Sequence, residues 1–361
     1  MITISATGRR ILGRSIRCSA TFTMISCLLG VVQWAAAQNK TTSELFPVVQ
    51  GGKWGFIDAV GQLQIPFKFD RARPFSEGVA AVGVRAKSSF LSRLFWDEAG
   101  YLWGYIGVNG EYVVSPRFAQ AGPFSEGLAP VEHTLNTVVL QVTDKWGFID
   151  VSGNWVIPPR FDWAGPFSEG LAQAQVEGKW GFVARSGDFV IPPQYAQAGP
   201  FSDGLAAVSF STSGANALFG YIDKTGKTSI EPVYTAAKEF VEGLAAVEVR
   251  TSGKPRVCGF INRQGEWVLP AIYEVARTFH DGIAPVMPVE GQIQGFCYID
   301  KSGAKVLEGP YYEAFPFQGS LGRVVYLRGF DEEWAYITRS GVNVWATSES
   351  LFSPYLGDGY P

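Results

Sequence analysis

Two histidines, four cysteines and three methionines in 361 residues leave little for metal or thiol chemistry to draw on. His133 and His280 stand beside no nucleophile and in no metal-ligand spacing, so the sequence offers neither a histidine-bearing metal centre nor a histidine-activated nucleophile. It has no glycine-rich phosphate loop joining strand to helix and no serine elbow. No catalytic residue, metal or cofactor is expected. Charge is scarce as well: Asp, Glu, Lys and Arg make up 17% of the chain, with 33 acids against 30 bases. Nucleic acid is therefore not an expected partner, because phosphate binding needs a basic face. After the N-terminal segment, no window of helical length shows amphipathic spacing without a Gly or Pro interrupting it. What the chain has in quantity is glycine (42), proline (21) and aromatics (14%), the composition of strands and turns.

These residues fall into a repeat. Lys145 to Asp150 reads KWGFID, and approximate copies are anchored on Trp54, Trp103, Trp146, Trp180, Phe219, Cys258, Phe296 and Trp334. A search for internal periods is the first test of such a chain. Seven residues after every anchor stands a glycine (Gly61, Gly110, Gly153, Gly187, Gly226, Gly265, Gly303, Gly341). Twenty-one residues after it stands an aromatic, Phe75 in the first copy and Tyr355 in the last, usually within Pro-Phe-Ser-Glu-Gly or a near variant. All length variation lies between that aromatic and the next anchor. Trp146 and Phe148 share one face of a strand while Gly147 and Ile149 share the other. Asp150 to Gly153 fits a type I turn, Trp155-Val156-Ile157 returns, and Pro158-Pro159 stops it. After a connector through Phe167, Leu171 to Val176 makes a third strand. Each copy is expected to be a three-stranded meander plus an ordered connector.

In these residues the chain resembles the bacterial WG-repeat (KWG-repeat) family, over about residues 48 to 361. The resemblance implies an all-β tandem array and supplies no catalytic residues. Cys258 in place of the aromatic anchor, and Cys297 and Ala335 in place of the following glycine, depart from the motif and put regular packing of the last third in question. Three convincing strands per copy favour an open β-solenoid. The alternative is a closed, eight-bladed, propeller-like ring, in which the connector would supply a fourth strand.

Residues 1–37 read as a signal peptide: four arginines, a short apolar run from Phe22 to Val32, and small residues at Ala35 and Ala37 before the expected cleavage. The protein is expected to be exported, periplasmic or secreted, with no membrane span in the mature chain. Residues 38–47 read as a flexible lead-in and 48–361 as the array, although Phe46 to Lys53 already resembles a leading strand. Removing 1–37 takes four arginines and no acid, leaving a formal charge of −7. Cys258 and Cys297 would then remain. In-register copies point them to opposite faces, which favours two buried thiols over a disulfide.

The longest insertion, between Phe75 and Trp103, is rich in basic and aromatic groups. Arg85, Lys87, Arg93, Phe95, Trp96 and Tyr101 are the candidate ligand- or partner-binding residues, weighed against a cap that packs its own aromatics. The second insertion, Val131 to Asp144, reads as an extended hairpin. Glu77, Glu126, Glu169, Asp203, Glu242 and Asp281 form a row that could hold cations, but a group present in nearly every copy is better explained as fixing its own turn. The aromatic row could stack on sugars, but its place in the best-preserved strand favours core. The functional expectation is a non-enzymatic binding or adhesion module for a cell-envelope glycan or protein. The alternatives are an assembly scaffold that engages a protein through residues 85–101, and a hydrolase with an unrecognised carboxylate site.

Overall fold

The computed structural model describes residues 44–85, 100–133, 145–211, 217–250, 253, 255–289 and 295–351. The expected signal segment, its cleavage site and most of the lead-in lie outside them. Among the described residues the regular elements are all strands, joined in antiparallel pairs. The first strand, Phe46–Gln50, begins inside the expected lead-in, with Phe46 buried.

The repeating unit has four strands, which corrects the three-stranded expectation. In Arg71–Ser76, Val79–Arg85, Tyr101–Gly107 and Tyr112–Phe118 the strands hydrogen-bond in chain order. They are called here the connector, leading, anchor and return strands. Each sheet thus takes its first two strands from one copy and its last two from the next. Pro158 and Pro159, expected to stop the return strand, lie inside Trp155–Phe161, and the connector's proline sits in an irregularity: the register breaks between Ala72 and Phe75, and Pro74 lies in the gap. There its missing N–H removes no ladder bond. The same four-strand order recurs over 120–161, 163–195, 197–234 and 313–347. It also occurs twice in a seven-stranded sheet, where Trp267–Ala276 runs from a return strand into the next connector. With the connector a strand, the argument for an open array from a missing fourth strand falls away.

The glycine after the anchor has a local cause. Phe148 faces Ile157 and Trp146 faces Phe161, so the return strand bulges at Pro158 and Pro159. That bulge presses on Gly147, where a Cβ would lie 2.5 Å from the Ile157 carbonyl oxygen and 2.8 Å from Pro159 N. The two departing copies solve the crowding differently. Trp334, Ala335 and Tyr336 face Thr347, Ala346 and Trp345 without a break, so no bulge approaches Ala335. Opposite Cys297, the return strand carries its own glycine, Gly309, at φ +65°. Cys297, Tyr298, Ala335 and Tyr336 are all buried, and packing continues through the last third.

Sheets are joined by aromatics. The ring two residues after each of the first seven anchors packs on the connector aromatic of the following sheet: Phe56 on Phe75, Tyr105 on Phe124, Phe148 on Phe167, and so on to Tyr298 on Phe317, with centroids 4.6 to 5.2 Å apart. The aromatic row is core, as expected.

The first and last copies also pack together. Phe46, Val48 and Trp54 share one hydrophobic cluster with Phe315, Trp334, Tyr336 and Leu351. The Tyr336 hydroxyl donates to the Pro47 carbonyl at 3.1 Å. Glu349 accepts the N–H groups of Gly51 and Gly52 at 2.5 and 2.7 Å, and Glu44 accepts that of Ser320 at 2.9 Å.

Candidate functional site

A four-stranded meander places its connector–leading and anchor–return turns at one end of the sheet and its leading–anchor loops at the other. The two ends differ in construction.

At the turn end, Glu77 and Gly78 have φ of 51° and 80°, the two positive angles of a type I′ hairpin turn. Asn or Asp is the usual first residue of such a turn, but the longer Glu reaches the neighbouring sheet. Glu77 accepts the N–H of Gly127 at 2.9 Å, Glu126 that of Gly170 at 3.0 Å, Glu169 that of Gly204 at 3.0 Å, Asp203 that of Gly243 at 2.6 Å and Glu242 that of Gly282 at 3.0 Å. The row of acids therefore fixes the next copy's turn and not its own, which corrects the expectation. Lys224, Lys301 and Arg339 pair with Glu169, Glu242 and Asp281 at 3.0 to 3.1 Å. Burial pushes the Glu242 carboxyl up, but Lys301 and the backbone N–H of Gly282 outweigh it and hold it below its ordinary value. The row is occupied by the scaffold. Among the described residues, no three metal-ligating side chains converge on one point.

The loop end carries the variation. Links between leading and anchor strands range from two residues, as at Gly51-Gly52, to the two long insertions. Of the candidate binding residues, Lys87, Arg93, Phe95 and Trp96 lie outside the described residues, while Arg85 and Tyr101 stand at the base of the insertion as partners in strand pairing. There the Tyr101 ring has the Arg71 guanidinium at 4.6 Å and that of Arg85 at 5.8 Å, within cation–π reach. Asp70 accepts the Arg85 N–H at 2.7 Å and pairs with Lys53 at 2.6 Å. Burial pushes the Asp70 carboxyl up, and the Lys53 and Arg85 contacts more than reverse it. The base is thus held by paired charges and is basic. Of the second insertion, His133 lies edge-on to Trp155 at 5.7 Å, and 134–144 fall outside the described residues.

A third place escaped the sequence reading. In four copies the connector reads Pro-Phe-Ser, and the serine of two of them, Ser76 and Ser168, donates to the next connector's carbonyl, at Phe124 and Phe201. Three consecutive copies replace the flanking Pro or Ser with Glu239, Thr278, His280 and Gln318, and all four line a cavity of about 240 Å³ with Arg323 and Tyr336. That volume falls below the roughly 300–1,000 Å³ of pockets for drug-sized ligands. Read alone, His280 only fills a serine slot. The available signal was the clustering of polar departures at equivalent positions of adjacent copies.

Cys258 and Cys297 are free and buried, and burial pushes both thiols up.

A family model described as a WG containing repeat matches residues 54–87, 103–133, 146–180, 180–210, 219–250 and 259–288. No curated protein matches the sequence. Among solved structures the chain is similar to the β-propeller domain of the Trilobed protease from Pyrococcus furiosus, at 8% identity and a TM-score of 0.46, over 76% of this chain and 97% of that one. It is similar to a Pyrococcus horikoshii acylaminoacyl peptidase at 8% identity and a TM-score of 0.49, over 77% of this chain and 52% of the peptidase, so that it spans about half the peptidase's length. A putative TolB from Agrobacterium tumefaciens gives 10% identity and a TM-score of 0.35, over 62% of this chain and 90% of that one.

Proposed function

Because the chain belongs to the family of WG-containing repeats, we propose that it is an exported, non-catalytic binding or adhesion module for a cell-envelope glycan or protein, built as a closed ring of eight sheets. The ring reading is supported by the packing of the first sheet on the last, through the shared core and the Glu44, Glu349 and Tyr336 bonds. The binding reading is carried by one observation: the turn end is tied up copy to copy by its carboxylates, while every long insertion leaves from the loop end. A scaffold that spends its repeated residues on itself at one end and varies at the other has one end free to recognise a partner.

A glycan array probed with the full chain and with a variant lacking residues 86–99 tests this reading. Selective glycan capture that the deletion removes, at an unchanged melting temperature, is the expected result. Capture unaffected by the deletion would contradict recognition through that insertion. A second reading, a scaffold that docks a protein partner through residues 85–101, draws on the basic base around Tyr101. It predicts a silent glycan array and direct binding of one purified envelope protein that the deletion abolishes. A hydrolase would place its chemistry at Glu239 and His280, which share the cavity. Glycosidase activity lost in Glu239→Gln would displace the first reading.

A further inference from the structure

We infer that the cavity between the connectors of copies five to seven binds a small zwitterion of α-amino-acid size, with the carboxylate at the floor and the ammonium at the mouth. It rests neither on the ring reading nor on the insertion at residues 86–99.

Burial distinguishes the two ends of the cavity. Thr278, Arg323 and Phe315 are buried and form its floor, whereas Glu239 and His280 are half-buried and Gln318 is exposed, which places these three at the mouth. Positive charge therefore lies deep and negative charge near solvent. The Arg323 guanidinium lies 4.1 Å from the centre of the Phe315 ring, and Nη1 donates to the Leu351 carbonyl at 3.3 Å, so the deep charge is held in place. Glu239 stands two copies away, and no ion pair joins the two across the cavity. The Tyr336 hydroxyl, also in the wall, donates to Pro47.

The scaffold does not use the polar groups that distinguish these copies. Elsewhere the equivalent connector places carry Pro and Ser, and Ser76 and Ser168 tie one connector to the next. The side chains of Glu239, Thr278 and His280 make no hydrogen bond or ion pair with the described residues. Thr278 is only 7% exposed. A hydroxyl at that depth without a protein partner is costly unless a bound molecule supplies one.

The chemistry of each end selects its counterpart. A guanidinium beside a hydroxyl donor suits a carboxylate, which takes charge-assisted hydrogen bonds from both. A carboxylate at the mouth, with an imidazole and an amide beside it, suits an ammonium. A neutral sugar would meet neither charge with its opposite. A simple carboxylic acid would meet only the floor, and a simple amine only the mouth. Size agrees: a cavity of about 150 Å³ takes the six carbons of benzene, so one of about 240 Å³ takes by proportion about ten non-hydrogen atoms.

The test is titration calorimetry of the full chain with each proteinogenic α-amino acid of up to about ten non-hydrogen atoms, and with glucose. One-to-one binding of at least one amino acid is the expected result. Its amide, which lacks the carboxylate, and the matching carboxylic acid, which lacks the ammonium, should each bind about tenfold more weakly or worse. Glu239→Gln and Thr278→Val should weaken binding to a similar degree in chains that keep the parent's circular dichroism. Deleting residues 86–99 should leave binding unchanged, which separates this site from glycan capture through the insertion. No binding by any amino acid overturns the inference and leaves the cavity to water. Amide or acid bound as tightly as the amino acid, or binding untouched by both substitutions, overturns it as well. Glucose bound in place of every amino acid would give the cavity to a sugar.

Discussion

Gly147 and Ala335 occupy the same motif position and are held there by opposite circumstances. Gly147→Ala drives a Cβ to 2.5 Å from the Ile157 carbonyl, backbone that the sheet cannot move freely. Overpacking of this kind costs about 1–3 kcal/mol, and chemical denaturation should show the loss. Ala335→Gly meets no such contact and should cost only the entropic penalty of glycine, about 0.5–1 kcal/mol. The glycine seven residues after each anchor is over-determined in the same sense. Gly153 has φ 83°, and a Cβ would lie 2.9 Å from Arg117 Nη2 and 3.0 Å from the Val114 side chain of the preceding copy. Its presence in all eight copies was legible as a turn requirement. Its second duty, leaving room for the neighbour, arises only from the packing of one copy on the next.

At the scale of the element, the aromatic nine residues after an anchor packs on the return strand of the preceding sheet: Tyr112 on Phe69, Trp155 on Phe118, Phe189 on Phe161 and Trp267 on Tyr234. Thr228 breaks the pattern, and Phe210, from the end of a leading strand, takes the place against Tyr195 at 5.1 Å. Phe210→Ala should therefore cost about 1 kcal/mol, the worth of an aromatic pair. Adding Thr228→Phe should restore most of it, read as the denaturation midpoint of the double variant. The carboxylate clasps give a pH signature. Glu242 is held below its ordinary value in the folded state, so its contribution is fully present above the unfolded carboxyl range. It is lost as pH falls through that depressed folded value, below the ordinary carboxyl range. Acid titration of Glu242→Gln should show a shallower loss of stability below that pH than the parent chain, with little difference in slope near neutrality. The anchor strand, the turn and the leading strand were readable from alternation and turn residues. The connector strand was not, because Pro166 and Gly165 look like breakers until the bulge that accommodates them is seen. The site followed the same division. Arg85 and Tyr101 were found by density of residue type, whereas Glu239, Thr278, His280 and Gln318 are ordinary residues that only the sheet arrangement brings to one cavity.

In the proposed ring the eight copies close on themselves, with the repeated residues spent on joints and recognition left to the parts that vary. The seam between first and last copies is built from Glu44, Glu349, Tyr336 and a shared apolar cluster. Combined Glu44→Ala and Glu349→Ala should lower the melting temperature while leaving β-sheet circular dichroism unchanged at room temperature. The most direct measurement is the distance between spin labels at Gln50 and Glu349 in the full chain. Closure predicts one narrow, short distance, since Glu349 bonds the backbone next to Gln50. Eight sheets stacked openly at about 10 Å spacing would hold the labels about 70 Å apart, and a distance of that order would contradict the account.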